Sequence, residues 1–187
     1  MIEEIIQRFF NNLLSYETDI YNEFSLQHEL GIFLRENLRD YKIQFERNIS
    51  FFHPKLEDSF IKKEMDIVIY KTDFTEKYAI ELKFPQNGQY PETMFSFVKD
   101  IKFMEQVKKQ LGFTNTFVAT LVTDKNFYDG GIPGEIYSFF RGSNTKILNG
   151  NICKPTGKKD ELINIEGSYK ITWKKNNSIF HYYTLKI

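Results

Sequence analysis

Apolar residues recur along this chain at two periods, and the switches between them mark out its elements. Ile5, Ile6, Phe9, Phe10 and Leu13 form the stripe of an amphipathic helix over residues 2–14. Leu26, Leu30, Phe33 and Leu34 do the same over 21–38. Residues 41–50 alternate, with Ile43, Phe45 and Arg47 set against Lys42, Gln44 and Glu46, which predicts a strand. Two more strands are predicted over 64–70 and 77–84. The first is almost continuously apolar from Ile67 onward, as expected of a strand covered on both faces. Met94, Phe97, Val98, Ile101, Met104, Val107 and Leu111 then follow helical spacing, and Val118, Ala119, Leu121 and Val122 mark a strand over 116–123. Asp129-Gly130-Gly131-Ile132-Pro133-Gly134 reads as a loop and residues 135–141 as a short helix. In the tail, residues 168–186, Lys175-Asn176-Asn177-Ser178 separates two β-rich runs and predicts a hairpin. Helices and strands alternating in this way predict an α/β fold of three layers.

Charges interrupt the pattern at three places. In the run from Tyr78 to Phe84, Tyr78, Ile80, Leu82 and Phe84 share one face, which leaves Glu81 and Lys83 side by side on the other. Two residues of strand rise about 6.6 Å, so both groups can reach one phosphate or one water. Asp66 opens the preceding strand, and if the two strands pair it can meet Glu81. The same acid-x-Lys string recurs at Asp100-Ile101-Lys102. There, helical spacing sends the two charges in different directions and predicts a solvated helix face. Further upstream Glu23 falls on the side of Leu26, Leu30 and Leu34, whereas Glu29 sits off that stripe. An acid there either complements the helix macrodipole or serves as a third group at the strand site. For Glu81 and Lys83 the structural alternative is an exposed ion pair of little consequence for stability.

Two carboxylates converging beside a lysine suit a hard divalent cation and an anionic substrate, because Mg²⁺ takes oxygen ligands and completes its shell with water and phosphate. Such a site polarises a phosphoryl oxygen and acidifies a bound water, while the lysine orients that water or offsets charge developing on phosphorus.

These residues resemble the PD-(D/E)XK nuclease superfamily, whose fold is restriction-endonuclease-like. The likeness rests on Glu23-Phe24-Ser25-Leu26-Gln27 on a helix, Asp66 opening one strand, Glu81-Leu82-Lys83 closing the next, and a long helix from about Pro91. It spans residues 20–125, and 126–187 form a C-terminal elaboration of the same single domain. Met65 stands where the superfamily name has proline. The resemblance implies a three-layer α/β/α core with a mixed central sheet. It implies Mg²⁺, with Mn²⁺ as substitute, on Asp66, Glu81 and the Leu82 carbonyl, Lys83 acting on the attacking water, and Glu23 as the helix acid with Glu29 as fallback. The implied activity is phosphodiester hydrolysis of nucleic acid, DNA in particular, in microbial defence, restriction or repair, with a homodimer or protein partner as further expectations. A catalytically idle nuclease-like domain that binds nucleic acid or a protein is the other reading.

With 25 basic and 25 acidic residues the formal charge is zero, although a protein gripping long nucleic acid is usually basic. Positive charge is therefore gathered locally, or the substrate is short, structured or delivered by a partner. Lys62 with Lys63, Lys99, Lys102, Lys108 and Lys109 on the long helix, and Lys158 with Lys159 are the local clusters; each reads more readily as a solvated face than as a phosphate track. Cys153 is the sole cysteine, so an intramolecular disulfide and a cysteine-type zinc site are excluded. Acids stand where a signal peptide carries basic residues, and no apolar run approaches a membrane span, which predicts a cytoplasmic location and no membrane. His28, His53 and His181 are scattered and form no ligand pair. Most of the 19 Phe and 11 Tyr must build the core. Tyr90, in the loop after Lys83, is placed where a splayed base would arrive.

Overall fold

The computed structural model describes residues 1–13, 20–53, 60–86, 88–157, 161–176 and 179–187. The chain runs α1 (Ile2–Asn11), α2 (Glu23–Asn37), β1 (Lys42–Asn48), β2 (Glu64–Tyr70), β3 (Lys77–Lys83), α3 (Tyr90–Leu111), β4 (Asn115–Val122), α4 (Glu135–Phe140), β5 (Ile147–Cys153), β6 (Leu162–Lys170), β7 (Lys174–Lys175) and β8 (His181–Lys186). Six strands form one mixed sheet in the order β1-β2-β3-β4-β8-β7. Neighbours are antiparallel except β3 and β4, which run parallel and are joined by the crossover helix α3.

The two faces of this sheet are apolar for the reason the alternation predicts. Tyr78, Ile80, Leu82 and Phe84 pack with the stripes of α1 and α2, including Phe9, Phe10, Leu26 and Leu30. Ala79, Val68 and Val118 face α3 through Phe97, Ile101 and Met104. Helices therefore cover both sides of the sheet.

β5 and β6 were not foreseen. They pair antiparallel in a separate two-stranded sheet, and Leu148, Ile152, Ile163 and Ile165 join the cluster around α3. This outer sheet covers the side of α3 turned away from the main sheet. The C-terminal hairpin is present as β7 and β8, but its first strand is two residues long, and the expected start at Ser168 lies instead in β6. Tyr90 is not in a loop: it is the first residue of α3, followed by Pro91 in the first turn, where a missing N–H costs the helix nothing. Among the described residues no helix is long and apolar enough to cross a membrane.

Candidate active site

The site lies where β2 and β3 part. Pairing runs from Tyr70↔Lys77 to Ile67↔Ile80, and the Leu82 N–H then donates to Asp66 Oδ2 at 2.6 Å. The Asp66 side chain thus takes the place of the next backbone acceptor. Alternation breaks at the same point, because Met65 packs on the side of Val68 and Tyr70 and not with Ile67. Across β1, Glu46 has φ 47°, a left-handed conformation costing a non-glycine residue on the order of 1 kcal/mol.

α2 reaches this gap from one face. Its N-terminus is fixed by a capping box in which Asn22 Oδ1 accepts from Ser25 N at 2.8 Å and Ser25 Oγ accepts from Asn22 N at 3.0 Å. The next residue, Glu23, then has a defined direction. Its Oε1 lies 3.2 Å from Lys83 Nζ, and its Oε2 accepts from Phe84 N at 3.0 Å. One turn on, Gln27 donates to the Asp66 carbonyl at 2.8 Å and to the Glu46 carboxylate. Glu23, Phe24, Gln27, Glu46, Asp66 and Leu82 line a pocket of about 120 Å³. Glu29 does not join them; its carboxylate lies 3.4 Å from His28 Nδ1.

From the other face comes Asp100, and here the expectation of a solvated helix face is wrong. Asp100 is 2% exposed. It stands one turn from Phe97 and Met104, on the stripe of α3 that faces the sheet, so the helix carries it inward. Its Oδ1 lies 3.0 Å from Lys62 Nζ and its Oδ2 3.8 Å from Lys83 Nζ. Lys62 also contacts Glu81 Oε1 as an ion pair. Glu81 is fully buried and pairs with Lys62, so the alternative of an exposed pair with Lys83 is not what forms. Lys83 instead faces Glu23, Asp100 and the Leu82 carbonyl, to which it donates at 3.2 Å.

The charges shift one another in predictable directions. Burial pushes the Asp66 carboxyl up to about 6, against the opposing pull of the Leu82 N–H, Lys83 and Lys62. Burial likewise raises Asp100. For Lys83 burial alone would lower the value, but Asp100, Glu23 and Asp66 outweigh it and the net shift is upward. Lys83 is therefore an ammonium at neutral pH.

One observation bears on whether this donor set suits a hard cation. Glu81 is a fully buried carboxylate whose Oε1 meets the Lys62 ammonium while its Oε2 accepts no hydrogen bond among the described residues, and Asp100 Oδ2 is in the same state as Oε2. A buried carboxylate oxygen without a donor partner calls for nearby positive charge, part of which Lys62 supplies here. No three His, Cys, Asp or Glu side chains among the described residues are already drawn together as a metal group, and Lys62 stands between Glu81 and Asp100.

The other basic residues are engaged elsewhere. Lys99 pairs with Glu161 at 2.7 Å, Lys102 and Lys109 pair with Glu166 at 2.9 and 2.8 Å, and Lys108 donates to the Ile187 carbonyl. They fasten α3 to the outer sheet and the chain end, with Lys109 remaining largely exposed. Lys158 and Lys159 lie outside the described residues. Tyr90 donates to Asp124 Oδ2 at 2.6 Å, accepts from Asn126 and packs edge-on against Phe127, so its ring and hydroxyl hold the end of β4 to α3.

Glu23 and Asp66 were legible from period and position. Asp100 was missed although the same helical arithmetic points it inward, and Glu46 was missed because its direction depends on an irregular φ. No protein-family model matches the chain, and no characterised protein and no solved structure matches it either.

Proposed function

We propose that the chain is a Mg²⁺-dependent nuclease with a restriction-endonuclease-like fold, hydrolysing phosphodiester bonds in nucleic acid. DNA as the target, a role in microbial defence, restriction or repair, and action as a homodimer or with a protein partner rest on the resemblance alone. The observation that carries the reading is convergence. Glu23 from α2, Asp66 from β2 and the Leu82-Lys83 end of β3 meet at one gap, linked by Glu23–Lys83 at 3.2 Å and Asp66–Leu82 N at 2.6 Å, while the neighbouring Glu81 is buried against Lys62.

Asp66, Glu81 and the Leu82 carbonyl are the groups that would hold Mg²⁺. When bound, the ion supplies Lewis acidity toward phosphoryl oxygen and lowers the pKa of a bound water. The chain's own residues supply the rest. Lys83, held protonated by Asp100 and Glu23, donates hydrogen bonds and offsets negative charge; it does not accept the proton of the attacking water at neutral pH. Glu23 fixes Lys83 and the Phe84 N–H together, so α2 sets the position of the β3 end. Gln27 holds the backbone of Asp66 and the carboxylate of Glu46.

A second reading, an idle nuclease-like domain that binds nucleic acid or a protein, is favoured by one contact: Lys62 already neutralises Glu81. Cleavage of a panel of single-stranded, duplex and branched DNA and RNA in Mg²⁺, Mn²⁺ or EDTA separates the two. Metal-dependent cutting by the wild type that disappears in Asp66→Ala is the expected result. Metal binding without cutting of any substrate would favour the idle domain, and neither binding nor cutting would remove the nuclease reading.

A further inference from the structure

Lys62 enters the site from the connection between β1 and β2, two residues before β2 begins. Its backbone surroundings are fixed on both sides: Ile61 N donates to Gln106 Oε1 at 2.9 Å, and Ile49 N donates to the Lys63 carbonyl at 2.9 Å. What reaches inward is therefore the side chain alone. It is 31% exposed, yet its ammonium touches Glu81 Oε1 and lies 3.0 Å from Asp100 Oδ1, with the Phe103 ring centre 5.6 Å away.

Such a buried carboxylate is not tolerated without a counter-charge. For Glu81 that charge is Lys62 and not Lys83, its strand neighbour two residues on. A lysine suits a temporary occupant. Its ammonium is compact and strongly hydrated, it sits on a flexible four-carbon stem, and it lacks the two-point grip of a guanidinium. Partial exposure gives the stem a direct route to water. Behind it, Glu81 Oε2 and Asp100 Oδ2 accept no hydrogen bond among the described residues. A divalent cation brings twice the charge of the ammonium to the same carboxylates and can use those oxygens as well.

We propose that Lys62 is a resident counter-ion at Glu81 that a divalent cation must displace, so that this one side chain sets the metal affinity of the site. The inference rests on the nuclease reading for the identity of the site. It differs from that reading in naming a competitor built into the chain.

The test is calorimetric titration of MnCl₂ into the full chain at neutral pH, for wild type, Lys62→Met, Lys63→Met and Glu81→Gln. Removing a unit charge in direct contact with the ligand carboxylate should tighten Mn²⁺ binding by about tenfold or more in Lys62→Met. Lys63→Met, which removes the same charge from an exposed neighbour, should change it by less than about twofold, since exposed charges are screened. Glu81→Gln should abolish the effect of Lys62→Met. Affinity in Lys62→Met that equals or falls below the wild-type value overturns the proposal while leaving the nuclease reading intact. Mn²⁺ binding to neither protein overturns both.

Should Lys62→Met fail to fold, the wild type carries a second measurement. Acylation by an amine-reactive ester, read by mass spectrometry with Lys63 as internal reference, should accelerate at Lys62 when Mn²⁺ is added. An unchanged Lys62 rate in protein that has bound Mn²⁺ sinks the displacement.

Discussion

Asp100 of α3 faces Lys83 of β3 with 3.8 Å between Oδ2 and Nζ, and the aspartate is almost wholly buried. The pair joins the crossover helix to the end of the strand that the helix leaves, so packing of α3 and direction of Lys83 are one and the same constraint. Asp100→Asn preserves shape and removes charge. With less carboxylate nearby, burial then pulls the Lys83 ammonium toward a lower pKa. The predicted outcome is cleavage reduced about 10- to 100-fold, the range seen for supporting groups around a metal site. The alkaline limb of the pH–rate profile should also move to lower pH. A purely structural role for Asp100 would lower the rate and leave that limb in place.

Asp66 gives a stability prediction with a definite sign. Its carboxyl is raised from 3.8 to about 6 in the folded chain, chiefly by burial. The folded state therefore holds this proton more tightly than the unfolded state does, and stability from this group falls as pH climbs from about 4 to about 6 and stays lower above. A difference of about two pKa units corresponds to at most about 3 kcal/mol. In Asp66→Asn, whose amide oxygen can still accept from Leu82 N, this part of the pH slope is absent. In EDTA the variant should therefore gain on the wild type across that window and exceed it at neutral pH. Urea midpoints measured from pH 4 to 8 read the effect directly; a difference that does not widen with pH would show that Asp66 is solvated in the folded chain.

How much of this was legible follows from how each residue is positioned. β2 was readable from its continuous apolar run after Asp66 and β3 from its alternation through Tyr78–Phe84, and Glu81 stands out against the latter. Asp100 was readable in principle, being in phase with Phe97 and Met104, but its Asp-x-Lys string drew attention to Lys102, which points to the outer sheet. β5 was not readable by alternation. Only Leu148 and Ile152 are buried in it, four residues apart, with a register shift at Gly150 at φ 71° between them. Because that sheet went unread, the outer side of α3 was expected to be wet. Lys62 lies in no periodic element at all, so only the path of the β1–β2 connection brings it to Glu81.

The capping box at α2 should matter beyond its own helix. Asn22→Ala removes the acceptor for Ser25 N and should destabilise the chain by about 1 kcal/mol. Since Glu23 is the next residue and holds both Lys83 and Phe84 N, the variant should also cleave more slowly under conditions where it is fully folded. Asn22→Ser, which can still cap, should recover both properties. Loss of stability with unchanged cleavage would mean that Glu23 is positioned by its own contacts and does not depend on the cap.

The attachment of the outer sheet turns on one buried acid. Glu105, 8% exposed on the outer side of α3, accepts from Gly167 N at 2.7 Å, Glu166 N at 3.1 Å and the Tyr169 hydroxyl at 3.2 Å. Burial and this carboxylate together push the Tyr169 hydroxyl well above its ordinary value. Glu105→Ala leaves these three donors without their acceptor, removes the Lys102 contact at 3.4 Å as well, and should cost about 2–4 kcal/mol, given roughly 1–3 kcal/mol for each buried group left unpaired and partial recovery by water. Glu105→Gln keeps one acceptor oxygen and should fall between. The Glu166 and Gly167 amides should exchange with deuterium faster in Glu105→Ala than amides of β3 do, because the outer sheet would lift from α3 before the main sheet opens. Equal acceleration in both sheets would instead mean that they unfold as one unit, with Glu105 contributing only to its overall stability.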